Sequence, residues 1–154
     1  MADLLASFVV IGFFAVCGAL VHIDVTRHRL PNAVVAPLAV GVAAGLALAA
    51  AVGGSAGPLL RALAGGLVLG AAFLALRDLT SGGLGGGDVK LAVPVGMVLA
   101  WHGWLPLAIG AAASFLLAGL AAAALIAVGR GTRRTRIAFG PWMALGTAAG
   151  LLLT

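Results

Sequence analysis

The sequence predicts an all-α, polytopic membrane protein of about six transmembrane helices, with a glycine-rich loop before the fourth. Three observations carry that expectation. Of the 154 residues, 63% are hydrophobic and 8% charged. Soluble domains carry about 25% charged residues, and so few charges would not cover a water-soluble surface. Residues 4–21, 33–60, 91–128 and 137–154 hold no Asp, Glu, Lys or Arg, and a spanning helix needs about 20 apolar residues. The charges that exist fall between those stretches. A chain this short makes one domain, 1–154.

The elements follow in order. A first helix is expected over 4–22. It does not read as a secretory signal: the region before it carries Asp3 and no Lys or Arg, and it ends in charges rather than in a small-residue cleavage site. The second stretch is long enough for two spans, 33–52 and 59–77 once the flanks of Ala62–Leu76 are included. Gly53-Gly54-Ser55-Ala56-Gly57-Pro58 breaks it. That break matches the GxSxG nucleophile pattern formally, but the pattern needs a strand-to-helix turn, so it reads as a loop. The third stretch gives helices at 89–101 and 105–128, divided at Trp101-His102-Gly103-Trp104-Leu105-Pro106. Two tryptophans there suit a membrane interface. The last helix is expected over 138–154.

Orientation follows from the nine Lys and Arg residues. Arg27, Arg29, Lys90, Arg130, Arg133, Arg134 and Arg136 belong to the 23–32, 78–90 and 129–137 connections, which lie on one side of a six-span topology, and Arg77 adjoins the second of them. Only Arg61 lies on the other. This bias puts the three connections in the cytoplasm and both termini outside. The net charge of +5 does not indicate nucleic acid, because the basic residues are not interleaved with aromatics. They suit topology and anionic lipid headgroups. The single cysteine, Cys17, makes neither a disulfide nor a Cys-based zinc site within one chain. His22, His28 and His102 lack zinc-ligand spacing, and there is no HExxH. These residues give no zinc site.

All four acids are aspartates: Asp3, Asp24, Asp78 and Asp88. Asp3 and Asp78 suit solvated positions. Asp24 sits where the first helix leaves the membrane. Asp88 sits at the start of the fourth, after Gly82, Gly83, Gly85, Gly86 and Gly87. An ionisable group at a membrane boundary is costly unless paired or solvated, and is a functional candidate for that reason. Two close carboxylates share a proton, so one can act as base on a water while the other polarises a carbonyl. Glycines around Asp88 would let the loop bring it to Asp24 and leave room for an extended peptide. Taken alone, the same acids would also suit structural ion pairs beside Arg27 and Lys90.

The motifs around the two acids resemble a known family. Asp24-x-x-Arg27-x-Arg29-Leu30-Pro31-Asn32, Gly85-Gly86-Gly87-Asp88-Val89-Lys90-Leu91 and Phe139-Gly140-Pro141-Trp142-Met143-Ala144-Leu145-Gly146 look like three signatures of the type IV prepilin peptidases. They occur in the family's order across essentially the whole chain. The resemblance implies a GxGD aspartyl protease of the bacterial inner membrane. It would cut the basic leader from prepilin or pseudopilin precursors at the cytoplasmic face, just before a hydrophobic helix. By motif, Asp24 and Asp88 would be catalytic. Larger members carry an N-terminal CxxC region and methylate the new N-terminus. Without those motifs the chain resembles the compact Flp/Tad-type form, with neither zinc nor methyl transfer expected. Archaeal preflagellin peptidases share GxGD.

Around the dyad, Gly85 and Gly87 are expected to shape the site. Lys90 either tunes Asp88 or anchors the helix end. Arg27 either orients Asp24 or sets topology. Pro31 and Asn32 turn the chain into the second helix. Two other functions use the same acids differently. A small proton- or cation-coupled transporter would need a polar path, yet the mid-span positions lack acids. A non-catalytic pilus-assembly subunit would tolerate replacement of either aspartate.

Overall fold

The computed structural model describes residues 1–27, 31–80, 84–130 and 138–154, with the Arg27 side chain excepted. Among them the chain forms six α-helices and no strand: α1 (Ala2–Arg27), α2 (Asn32–Gly53), α3 (Gly57–Leu79), α4 (Gly86–His102), α5 (Trp104–Ala127) and α6 (Gly140–Leu152). α1, α2, α3 and α5 are each long and apolar enough to cross a bilayer. α4 and α6, at 17 and 13 residues, are shorter than a straight span of about 20. The protein is therefore a multi-pass, all-helical membrane protein in which two short helices pack among four long ones.

Two edges move the functional residues relative to expectation. α1 continues through His22–Arg27, with the Thr26 hydroxyl donating to the His22 carbonyl at 2.7 Å. α4 starts at Gly86, so Gly87 and Asp88 belong to its first turn rather than to the preceding loop. The α2–α3 connection is a helix-to-helix turn. Gly54 takes the left-handed conformation (φ 65°) and Ser55 N–H donates back to the Ala50 carbonyl at 3.2 Å, which satisfies carbonyls left over at the end of α2. The GxSxG match is accordingly no nucleophile elbow.

α4 is the hub, packing on α2, α3, α5 and α6. Its approach to α3 is backbone on backbone: a Cβ added to Gly96 would fall on the Gly65 carbonyl. Lipid supplies no hydrophobic drive between helices, and small residues allow the close packing that replaces it. Phe13, Cys17 and Leu20 of α1, Leu46 of α2, Phe73 of α3 and Leu99 of α4 fill the interior. Cys17 is thus a packing residue. Leu4, Phe8, Leu67 and Leu116 point outward, as a lipid-facing surface requires.

Arg61, the basic residue on the side opposite the aspartates, has a local cause. Its guanidinium donates to the carbonyls of Ala100 (2.6 Å) and Trp101 (2.5 Å). It caps the C-terminal end of α4, where helix carbonyls lack intrahelical donors.

Candidate active site

The two acids converge from helices that share no extended contact. α2 packs on α1 and α4, and α6 also packs on both. Asp24, in the last turn of α1, and Asp88, in the first turn of α4, lie near enough across that frame for the charge of Asp24 to act on Asp88. Both are buried, at 5% and 8% exposure. A carboxylate so enclosed at a membrane edge must be compensated, and each finds a backbone donor.

Asp24 Oδ2 accepts from the Gly140 N–H at 3.0 Å. Gly140 is the first residue of α6, and Phe139 before it provides no side-chain cap. Helix starts leave such N–H groups without partners, and the positive end of the helix favours an anion there. Asp24 is therefore the N-terminal cap of a helix 116 residues away. The rings of Phe73, Phe115 and Phe139 pack mutually, with centroids 5.2–5.8 Å apart, and fix the start of α6 against α3 and α5.

Asp88 Oδ2 accepts from the Gly85 N–H at 3.2 Å, a local cap made by the third residue of its own helix. Asp88 precedes the apolar run of α4. Burial pushes its carboxyl up to about 6, the charge of the facing Asp24 adds to the rise, and the Gly85 N–H opposes it. Desolvation and a like charge both disfavour the ionised form.

The glycines beside the acids are there for closeness. A Cβ on Gly140 would lie 2.8 Å from Asp24 Oδ2, and one on Gly85 would lie 2.8 Å from Asp88 Oδ2. Either would press on the carboxylate that the backbone N–H must reach.

Lys90 turns to the other motif. Its ammonium donates to Asn32 Oδ1 at 2.8 Å, joining the first turn of α4 to the first turn of α2. Pro31 is extended (φ −70°, ψ 128°) and its carbonyl accepts from the Val34 and Val35 N–H groups, so it starts α2. Asn32 and Lys90 thus tie α4, which carries Asp88, to α2, the helix that follows α1 and Asp24 in the chain. Asp78 is exposed at the end of α3. Arg27 ends α1. Its side chain, together with Arg29 and Arg133, Arg134 and Arg136, lies outside the described residues. Among the described residues no three His, Cys or carboxylate groups cluster as a metal site.

The residue whose role was not anticipated is Gly140. Its sequence carries a signal: Ala138-Phe139 gives α6 no Ser, Thr, Asp or Asn at its start, so the acceptor has to come from elsewhere.

A multi-pass helical membrane protein with two buried, facing carboxylates at one end is the class these features define. Residues 11–128 match the type IV leader peptidase family, and the chain belongs to that family. It is thus a leader-peptidase-like protease. No curated protein and no solved structure matches it.

Proposed function

We propose that the chain is a GxGD-type aspartyl endopeptidase, a single peptidase domain over 1–154. In this reading it cuts leaders from prepilin-like precursors at the cytoplasmic face of a bacterial inner membrane. The observation that supports this best is the facing pair of buried carboxylates, Asp24 and Asp88, with unlike surroundings. The family membership supplies the peptidase, and the excess of basic residues at the Asp24 end supports the cytoplasmic side.

With one proton on the pair, Asp88 holds it. Asp24 takes a proton from a water, and the water oxygen attacks the scissile carbonyl carbon. Asp88 gives its proton to the carbonyl oxygen, which yields a neutral diol. Asp24 then passes its proton to the leaving amine nitrogen as the C–N bond breaks. Asp88 recovers a proton from a diol hydroxyl as the acid product forms. The dyad returns to its single-proton state with no metal or cofactor required. Gly140 keeps Asp24 aimed, Gly85 and Gly87 leave room beside Asp88, and the Asn32–Lys90 bond holds the two motifs in register.

The test is cleavage of a co-expressed type IV prepilin, read by mobility shift and N-terminal sequencing. Asp24→Asn and Asp88→Asn should each leave intact precursor at normal membrane levels of enzyme. Continued processing by either variant would sink the dyad.

A further inference from the structure

A second concave feature lies on the α1–α2 hairpin. Between α1 and α2 runs an open apolar groove of about 450 Å³, lined by Gly12, Phe13 and Val16 from α1 and by Ala33, Pro37 and Gly41 from α2. Its floor is bare, because a Cβ on Gly12 or Gly41 would meet nothing within 4 Å. The hairpin register locates it. Gly45 packs on Val9 and Gly53 on Ala2, which puts Ala33 level with Val21. At 1.5 Å per residue the groove starts about 5 Å along the axis from Asp24 and runs about 18 Å into the apolar zone, roughly three helical turns.

One polar group marks the near end. Pro37 has no N–H to give to the Ala33 carbonyl one turn earlier, and both residues line the groove. That carbonyl therefore lacks its usual in-helix donor, close to Asp24.

We infer that this groove seats an apolar helix of the substrate, the segment that follows the scissile bond. The inference rests on the peptidase reading above. Backbone at this depth must satisfy its own polar groups, so a chain lying in the groove is helical. The first turn of such a helix has N–H groups without partners, and the Ala33 carbonyl, which Pro37 leaves without its in-helix i+4 donor, lies at the matching level. The peptide just ahead of that turn then reaches the Asp24–Asp88 pair. Small residues on the floor allow close helix packing.

The probe is a synthetic peptide with a basic leader and a 20-residue Leu/Ala helix, carrying a benzophenone in the second helical turn. It is reconstituted with the wild-type enzyme in phosphatidylethanolamine–phosphatidylglycerol vesicles, irradiated, and the adducts are mapped by mass spectrometry. Adducts are expected on residues 9–16 and 33–42. Gly12→Leu and Gly41→Leu, which add bulk to the groove at positions where a Cβ meets nothing within 4 Å, should lower them at least fivefold. Gly18→Leu adds the same bulk to α1 outside the groove, where a Cβ also meets nothing within 4 Å, and should leave them unchanged. Adducts to lipid alone, to a second enzyme copy, or at equal yield in all variants would overturn the inference. Binding is read without cleavage, so failure of the groove is distinct from failure of the dyad, which the asparagine variants report.

Discussion

The two carboxylates are held by the same kind of bond from opposite distances. Asp88 takes the N–H of Gly85, three residues before it, and Asp24 takes the N–H of Gly140, across most of the chain. In each case a glycine stands where a Cβ would crowd the acid. The local arrangement is written into one short motif and forms with the first turn of α4. The distant one exists only after α1 and α6 have packed. A site assembled this way has one half that tolerates loosening of the bundle and one half that does not.

Removing either acid is the largest perturbation of this comparison. Asp24→Asn and Asp88→Asn should each lower the rate of precursor cleavage by about 10³-fold or more, the scale of lost acid–base catalysis. Steady-state processing in membranes measures it. Next comes the distant donor. Gly140→Ala should lower kcat by about 10–100-fold, since hydrogen bonds to charged groups contribute about 1.5–3 kcal/mol. Gly85→Ala should cost only a few-fold, because Gly85 is exposed with ordinary backbone angles (φ −66°, ψ 142°) and the short Asp88 cap can readjust. Equal losses in these two variants would erase the distinction between the halves.

The tie between the motifs gives a smaller effect. Asn32→Ala and Lys90→Met should each reduce kcat about 3–10-fold, with KM for a short leader peptide little changed. The double variant should be no worse than the poorer single, the signature of one shared interaction. Additive losses would mean the two residues act separately.

Acidity sharpens the comparison last. The Asp88 carboxyl is raised to about 6 from 3.8, so the folded protein binds this proton more tightly than the unfolded chain does. Its contribution to stability is fully present below about pH 4 and is lost as pH rises through about 6. Asp88→Asn should therefore match wild type in thermal stability at pH 4 and exceed it at pH 7.5, in detergent melting curves. Activity should fall above about pH 6 as Asp88 loses its proton.

Much of this was legible in the sequence. Uncharged stretches gave six helices, because charge along a span is costly in lipid, and their edges shifted most where polar residues such as His22–Arg27 or glycines such as Gly86 continue a helix. Asp88 and Gly85 were both singled out because they are neighbours in one motif, but the bond between them appears only once α4 is seen to start at Gly86. The Asp24–Gly140 bond was not, since spacing along the chain says nothing about a partner 116 residues away. Asn32 and Lys90 were both singled out, yet their bond depends on how α2 and α4 pack. Arg61 counted only as a charge on the minority side until the end of α4 showed what it holds.

Capping of α6 by Asp24 has a consequence for biosynthesis. A nascent chain carries both acids once residue 88 has been made, but Gly140 follows only 52 residues later. Until α6 is released and inserted, Asp24 lacks its donor and α6 its cap. The order of synthesis thus delays completion of the site until α6 has been made, and a chain stalled before Gly140 would carry the acids without the frame that aims them.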